Sequence, residues 1–523
     1  MENRAEAGEV AEVPEGVILE EPNAEEAVPP ADGGKDSPEL AEEEAPKFPE
    51  CRLLFMLCAV GALEGADMVL LPCVFFALQI DLHLTLNDLA LMSLVQALAT
   101  NIAAPFWGVM ADRGIMKRKW LIVLGCVVQG LITVVLAAVD QLLPMIILRA
   151  LNGVMLASLR PIANGVVADV TAENCRGKVF GSMQFAMNLG TMAGTLVGTN
   201  LARRTVGGLQ GWRVAFMLIG IASVVLGVVA GFIMKEPPRA APVEVSSGGR
   251  RAAVAELKRL LNYFRLPSFC VLVLQGCFGS VPWNALGFST LFFQIGGLSD
   301  LQASVIQVFQ QIAGSLGSLL GGAISDLLTK WSRHHGRPLT AQISVLSGIP
   351  VAWFLFMQSP PSAGTFYYYL SLMVVLGLTA TWCGIGVNLP ILSEIVKPGN
   401  RATIMAWEGA LEGSCSAIFG NSMVGFLAQN VFGYDIESAR AAGASVANDP
   451  DNVKALGSAL MLVSFVPWLF CFFSYTLLHW SYPRDLKKLA MEEEKTPSKK
   501  MVEIEDAKAA RPRVMSAAAR QAV

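Results

Sequence analysis

The sequence predicts an all-α polytopic membrane protein whose twelve transmembrane helices form two pseudo-symmetric six-helix lobes. Of its 523 residues, 53% are hydrophobic and only 16% are charged, whereas a soluble protein carries about a quarter charged residues. The apolar residues fall into twelve stretches, most of them near the 20 or so residues that a helix needs to cross the hydrocarbon core. The second half of the chain also repeats polar positions of the first.

The two ends and the middle of the chain lie outside these stretches. Residues 1–50 carry sixteen acidic and three basic side chains, a composition that cannot bury enough apolar surface to offset the entropy of ordering. We therefore predict a disordered acidic N-terminal tail. Residues 235–267, with Pro, Gly, Ser and a basic run, are predicted to be a cytoplasmic linker between the lobes, and residues 481–523 a cytoplasmic C-terminal tail.

The spans are numbered in chain order and are read from apolar runs between polar breaks. In the first lobe (51–234) they are predicted at 52–78, 86–110, 120–138, 144–168, 178–201 and 213–234. In the second lobe (268–480) they are predicted at 268–293, 302–328, 339–358, 365–391, 402–429 and 455–479.

The short loops predict the orientation of the chain, because basic residues accumulate on the cytoplasmic side. Loops after spans two, four, eight and ten carry Lys and Arg, and four of the loops on the other side, near 80–87, 139–143, 294–301 and 359–364, carry none; the loop with Arg203, Arg204 and Arg213 is the exception. Both termini are therefore expected in the cytoplasm of a multi-pass membrane protein. The sequence leaves open whether the membrane is the plasma membrane or an endomembrane.

An internal repeat relates the two lobes. Gln96 precedes "GVMAD" by twelve residues and Gln310 precedes "GAISD" by twelve, so that Asp112 matches Asp326. Further along, "ADVTAENCRG" and "SEIVKPGNRA" each place an acid seven residues before an arginine. Parallel repeats of this kind are typical of one large class of membrane transporters.

Three motifs make the resemblance to a family explicit. The stretch "GVMADRGIMKRK" (108–119) resembles the signature between spans two and three of the major facilitator superfamily. "LRALNGV" (148–154) is similar to that family's fourth-span motif, and "GTMAGTLVG" (190–198) to its glycine-rich fifth span. The stretch from "RALNGV" to "CRGKVFG" also resembles Spinster-type lipid transporters, although Leu156 stands where those usually have Glu.

The resemblance implies a gate at the cytoplasmic end. Gly108 allows a close helix approach, Asp112 lies where a carboxylate favours a nearby helix N-terminus, and Arg113 and Arg118 lie near lipid headgroups. The alternative is that this stretch is only a topology signal. The further residues assigned to the gate are Asp169, Arg176, Asp326, Glu394 and Arg401.

Ionisable residues at membrane depth are candidates for function, because each costs at least ~2.5–3.5 kcal/mol on insertion scales. Glu64 and Asp67 share a face of span one, and Arg149 and Arg160 lie about three helical turns apart on span four. The resemblance implies that spans one and four line a shared aqueous pathway. These four residues then either neutralise one another or bind a proton, a cationic group or an anionic group.

The second lobe offers its own polar candidates. Glu408 and Glu412 share a face of span eleven, where they bind substrate or a coupling ion or else pair across the lobe interface. The remaining predicted binding residues are Gln275, Asn284 and Asn388, accompanied by Trp283.

The predicted function is secondary-active transport of a small charged or amphipathic organic solute by alternating access, as a symporter or antiporter coupled to H⁺ or Na⁺. The alternatives are a Spinster-like transporter of lysolipids or lipids, a transporter-fold receptor or scaffold, and a polytopic membrane enzyme. No Walker or dinucleotide motif and no Cys/His metal spacing occurs. We expect a monomer that is not an enzyme and has no cofactor, no metal and no nucleic-acid partner.

Overall fold

The computed structural model describes residues 50–112, 116–171, 173–236, 258, 260–358, 360–396, 401–437 and 449–494. In these ranges the chain is almost entirely helical, and a short β-hairpin pairs Thr205–Val206 with Leu209–Gln210. The first lobe contains the helices Cys51–Asp81 (span 1), Leu86–Asp112 (span 2), Arg118–Leu136 (span 3), Leu142–Leu156 and Leu159–Val170 (span 4), Glu173–Ala202 (span 5) and Gly211–Ile233 (span 6).

The second lobe repeats this arrangement with more interruptions. Its helices are Pro267–Gly279, Val281–Ala285, Leu286–Phe288 and Ser289–Ile295 (span 7), Asp300–Trp331 (span 8), Gly336–Trp353 and Phe354–Gln358 (span 9), Ala363–Thr365, Phe366–Ala380, Gly384–Asn388 and Leu389–Glu394 (span 10), Arg401–Phe426 and Leu427–Val431 (span 11), and Pro450–Glu494 (span 12).

Ten of the twelve spans in the described part of the chain are long and apolar enough to cross a membrane by length and composition. Spans 5 and 11 are the other two. Their mean hydropathy is lower because they are richer in glycine and polar residues, but their helices run for 30 and 26 residues. All six spans of each lobe are present in the order that the apolar stretches predict.

Spans 4, 7 and 10 are broken near their middles, which the apolar stretches did not predict. Span 4 breaks at Ala157 and Ser158. In spans 7 and 10, Pro282 and Pro390 lie in the first turn of the helix that follows the break, where a proline removes no intrahelical hydrogen bond. Pro72 and Pro105 instead lie inside continuous helices.

Glycines allow spans 1 and 5 to pack backbone against backbone. A Cβ added at Gly190 would lie 1.8 Å from the carbonyl oxygen of Ala62, and one added at Gly65 would lie 2.3 Å from that of Met187. No other residue type fits such an approach without moving a helix. The predicted glycine-rich stretch of span 5 therefore joins it to span 1.

The twelve spans give the bundle two distinct ends. We call "basic end" the end where span 1 begins and where Arg118, Lys330, Arg333 and Arg337 lie, and "opposite end" the other. Several hydrogen bonds and ion pairs join the lobes at the opposite end: His83–Glu437 at 2.9 Å, Arg203–Asp300 at 3.2 Å, Asn200–Ser304 at 2.8 Å and Tyr434–Gln79 at 3.0 Å. The bundle is closed at that end.

Two of the three arginines that broke the loop-charge rule are paired with acids at the opposite end. Arg203 pairs with Asp300, and Arg213 forms an ion pair with Asp140. The exception to the loop-charge rule remains, because that rule counts Lys and Arg rather than net charge.

Span 12 extends further than its apolar stretch. The helix runs to Glu494, past the boundary predicted at residue 480. Two buried side chains in this extension contact the second lobe: Asp485 accepts a 2.8 Å hydrogen bond from the backbone N–H of Ser268, and Tyr482 donates to Glu394. The first turns of the predicted tail thus belong to the helical bundle.

Candidate functional site

A cavity of about 1190 Å³ lies between the two lobes, from the middle of the bundle toward the basic end. Spans 1, 4 and 5 form one wall and spans 7, 8 and 10 the other. Apolar and thioether side chains dominate the lining, among them Leu57, Val60, Leu159, Phe180, Met183, Met187, Phe185, Met192, Ile312, Leu316, Leu319 and Ile385. Because the lobes are joined at the opposite end, this cavity is accessible only from the side of the basic end.

The charged residues of the lining are Glu64 and Arg160, which form an ion pair. The Nε atom of Arg160 lies 3.2 Å from Oε1 of Glu64. Glu64 is buried, whereas 47% of the Arg160 side chain is exposed to the cavity. The pair therefore presents a partly free guanidinium beside a carboxylate on a wall that is mainly apolar but also carries Asn164, Gln184, Asn188 and Thr191.

The break in span 4 positions Arg160. The first helix of the span ends at Leu156, and the second begins at Leu159, so that Arg160 lies in the first turn of a new helix. Its Nη2 atom contacts the thioether sulfur of Met187 at 2.7 Å. A thioether accepts hydrogen bonds only weakly, so this group remains available to a stronger acceptor.

Asp67 and Arg149, the other two charged residues, are completely buried inside the first lobe. They interact electrostatically, but no hydrogen bond joins them among the described residues. Asp67 accepts a 3.1 Å hydrogen bond from Thr133, whose oxygen accepts one of 3.0 Å from Asn152; Gln96 donates to Asn152 at 2.8 Å. Among the described residues, neither the second Asp67 oxygen nor any guanidinium nitrogen of Arg149 has a hydrogen-bond partner.

The four membrane charges thus divide into one pair on the cavity and one behind it, which differs from the shared pathway expected for all four. Positions three apart on an α-helix differ by only about 60° in direction, so the predicted shared face holds for the helix itself, but packing around span 1 buries Asp67 and leaves Glu64 on the cavity wall. The predicted register of Arg149 and Arg160 assumed one continuous helix, and the break at residues 157 and 158 removes that register.

A second cavity, of about 340 Å³, lies between spans 1, 2, 4, 7 and 11 and shares Trp283 with the first. Amides line it: Gln96, Asn101, Asn284 and Asn421. Asn284, a predicted binding residue, is therefore on a cavity wall. Leu156, where the Spinster-type resemblance expects Glu, lines the same cavity.

Gln275 and Asn388, also predicted to bind, lie buried within the second lobe. The side-chain amide of Gln275 donates to the carbonyl of Leu272 at 2.9 Å, and the Asn388 carbonyl accepts from Tyr475 at 2.9 Å. Glu408 is buried as well, and Glu412 accepts a hydrogen bond from Ser280. None of these four side chains lines either cavity.

At the basic end of the first lobe, Arg118 forms an ion pair with Asp169. Glu236, at the end of span 6, accepts hydrogen bonds from the backbone N–H groups of Arg118 and Lys119 at 2.9 and 3.1 Å. A carboxylate at the free N–H groups of a helix start is stabilising. Glu236 therefore caps span 3 from the segment that follows the helix of span 6.

Part of the predicted gate lies outside this description. Arg113 is outside the described residues, as are the side chains of Asp112 and Arg176, so their role stays a prediction. A Cβ at Gly108 would meet nothing within 4 Å. The close helix approach expected at Gly108 is therefore absent among the described residues in this conformation, because the bundle is open at this end.

The second lobe repeats the basic-end ion pair. Arg337, at the start of span 9, donates to Glu394 at 2.8 Å and lies 3.7 Å from Asp326. Arg401 donates to the backbone carbonyl of Ser393 at 2.9 Å. Arg337 occupies the place of Arg118, and Glu394 that of Asp169, as the sequence repeat predicted for the acids.

The sequence reasoning missed several of these residues. Arg337 had a usable signal, since it follows the break before span 9 as Arg118 follows the break before span 3. Glu236 and Met187 had none, because a lone acid after a span and a methionine within one are ordinary features. Thr133 and Asn152 are polar residues inside spans, but nothing local linked them to Asp67.

Comparison with known proteins places this fold. The structure of a bacterial homolog of the human lysosomal transporter Spinster, in an inward-facing and unoccupied conformation, matches with a TM-score of 0.69 and 18% identity, covering 84% of this chain and 99% of that one. This likeness confirms the predicted two-lobe fold.

Two curated relatives carry the Spinster name. Protein spinster of Drosophila melanogaster is 24% identical over 364 residues, which is 68% of this chain but only 58% of the Drosophila protein. Protein spinster homolog 1 of Xenopus tropicalis is 24% identical over 436 residues, covering 78% of this chain and 80% of that protein. The family model of the Major Facilitator Superfamily matches residues 55–420, which is well over half of the chain. The chain therefore belongs to the Major Facilitator Superfamily and is similar to its Spinster proteins.

Proposed function

We propose that this chain is a monomeric secondary-active transporter, rather than an enzyme or a scaffold, and that it moves an amphipathic organic solute with a charged head by alternating access. The Glu64–Arg160 pair on an apolar cavity wall is the observation that carries the proposal. A soluble polar solute has no use for so apolar a lining, and a purely apolar solute has none for a desolvated ion pair.

The pair suits a head group that carries both charges or an anion. Arg160 offers its partly exposed guanidinium to a phosphate or carboxylate, for which its planar donors are well matched. Glu64, buried beside it, offers a carboxylate to an ammonium group. The apolar body of the solute then lies along the thioether and aromatic side chains of span 5.

The orientation supports transport with one-sided access. With the basic end in the cytoplasm, the cavity faces inward and the opposite end is closed by the contacts that join the lobes. Rocking of the lobes would then break the His83–Glu437 and Arg203–Asp300 pairs and close the basic end. The predicted gate residues act in that second state.

Within this solute class we favour a lysolipid, because apolar side chains on the cavity walls are exposed. Phe185 on span 5 and Leu319 on span 8 line the cavity but are 64% and 73% exposed. These exposed apolar side chains on the cavity walls would contact the tail of a single-chain lipid while its head meets Arg160.

Uptake by purified protein in proteoliposomes tests the proposal. Radiolabelled lysophospholipids, bile-acid-like anions and small organic cations are compared in the wild type and in E64Q and R160Q. We expect uptake of at least one amphipathic class and a loss of 10-fold or more in R160Q, because a hydrogen bond to a charged group contributes about 1.5–3 kcal/mol.

R213Q is the matched control, since Arg213 is also ion-paired but lies at the opposite end away from the cavity. Uptake that is equal in R160Q, E64Q and R213Q would contradict the assigned site. Uptake of none of the classes above empty liposomes would contradict the solute class.

A further inference from the structure

The second lobe holds two carboxyl groups on one helix face at membrane depth. Glu408 and Glu412 lie four residues, about one turn, apart on span 11, so that their side chains are neighbours. Only 5% of Glu408 is exposed. Eleven residues from the start of the helix, Glu412 lies about 16 Å into the bundle at 1.5 Å per residue.

Span 7 is shaped around this pair. A Cβ added at Gly276 would lie 2.9 Å from Oε2 of Glu412, so that the carboxylate packs directly against the helix backbone. Ser280, the residue at which the first helix of span 7 ends, donates its hydroxyl hydrogen to Oε1 of Glu412. The Oε1 atom of Glu408 is buried and has no hydrogen-bond donor among the described residues.

No arginine, lysine or histidine of the described residues forms an ion pair with either glutamate. The titratable groups that interact electrostatically with Glu412 are thiols and a phenol: Cys277 on span 7, Cys383 on span 10, and Cys471 and Tyr475 on span 12. None of these groups carries a positive charge in either protonation state. The first-lobe acids, in contrast, each have an arginine nearby.

Two neighbouring carboxylates one turn apart on a helix inside a protein strongly disfavour both being charged when they have no positive partner. We propose that Glu408 and Glu412 hold one exchangeable proton between them and form a proton site of the second lobe, separate from the Glu64–Arg160 pair. The proton supplies the donor that the buried Glu408 oxygen lacks. A metal cation fits less well, because hard cations bind through shells of oxygen atoms, and the titratable neighbours of Glu412 include three thiols.

The site has a direct connection to the substrate cavity. Ser280, bonded to Glu412, lies at the break of span 7, and Trp283 three residues later lines both cavities. Loss of the proton would leave two negative charges against Gly276 and Ser280 and would favour movement of the span 7 break. This last step, assigning the proton to transport, rests on the proposed function; the proton site itself does not.

Infrared difference spectroscopy of the purified full-length protein tests the proton site without a substrate. We expect the wild type to show the C=O stretching band of a protonated carboxyl group, shifted by deuteration and titrating with pH, and E408Q/E412Q to lack that band. E64Q, which removes a carboxylate already paired with arginine, should keep it. The single variants E408Q and E412Q remain informative if the double variant fails to fold.

Two results would overturn the proposal. One is absence of a titrating carboxylic-acid band in the wild type, which itself requires no variant to fold. The other is loss of the band on addition of Na⁺ at constant pH, which would assign the site to a metal cation.

Transport under an imposed pH gradient tests the coupling separately. In proteoliposomes the wild-type accumulation ratio of the transported lysolipid should change at least 10-fold with the gradient, and that of E408Q/E412Q should not respond. In one further outcome, the infrared band behaves as expected while the protein transports none of the solutes tested. That result would support the proton site and refute the proposed function.

Discussion

The buried pair of Asp67 and Arg149 predicts a large loss of stability in D67N. Both side chains are fully buried, and no guanidinium nitrogen of Arg149 has a hydrogen-bond partner among the described residues. Asp67 is the acid that interacts electrostatically with Arg149. Removing one partner of a buried pair leaves an uncompensated charge and costs about 3–5 kcal/mol, so D67N should lower the free energy of unfolding by this amount.

The double variant D67N/R149M should recover most of that loss. Replacing both members of a buried pair with neutral or apolar groups is often neutral or stabilising by about 1–4 kcal/mol. The two substitutions are thus expected to be strongly non-additive, as neighbours in one network are. Equilibrium unfolding in mixed micelles, followed by tryptophan fluorescence, measures all three free energies.

D140N supplies the control for loss of an ion pair. Asp140 pairs with Arg213, but 64% of its side chain is exposed, and exposed pairs contribute about 0.2–1 kcal/mol. If D67N costs no more than D140N, or if the double variant is as unstable as D67N, the charge of Arg149 is balanced in another way and the reasoning fails.

Three further predictions concern packing, capping and the closed end. G190A should destabilise the protein by about 1–3 kcal/mol, as overpacking does, because its methyl group would overlap the backbone of span 1. G181A on the same helix, where a Cβ meets nothing within 4 Å, should leave the stability unchanged. Equal melting temperatures for the two variants would contradict this prediction. E236Q should cost about 0.5–2 kcal/mol by weakening the cap of span 3, measured by thermal unfolding; an unchanged melting temperature would mean that the cap contributes nothing. The side chains of Asn200 and Ser304 lie 2.8 Å apart across the lobes, so cysteines at these two positions should cross-link in a cysteine-free background and stop transport. A cross-link within one lobe should leave transport intact. Full transport by the protein cross-linked across the lobes would refute the closed end.

Much of the fold was predictable from sequence because the membrane restricts the possibilities. Each span needs an apolar run of sufficient length, and its backbone groups must be satisfied within a helix. The sequence repeat that matches Asp169 with Glu394 was also predictable, since both acids lie at the end of a span and precede a basic residue. The structure brings each of them to an arginine at the basic end.

The partners of the membrane charges were less predictable. Spacing placed Glu64 and Asp67 on one face, but the structure directs one to the cavity and the other into the lobe. The helix breaks explain part of this difference, because apolar runs show where a chain crosses the membrane but not where its helix ends and restarts. Ser158 and Ser280, which lie at such breaks, have no distinctive local sequence.

By itself, the sequence determined the number of spans, their grouping into two repeats and the family, since these depend on local hydropathy and on motifs that lie close together in the chain. Only the tertiary structure decided which acid meets which arginine, which pair faces the cavity and which end of the bundle is closed. Those outcomes depend on helix rotation and on breaks within spans, which are set by contacts between residues far apart in the chain.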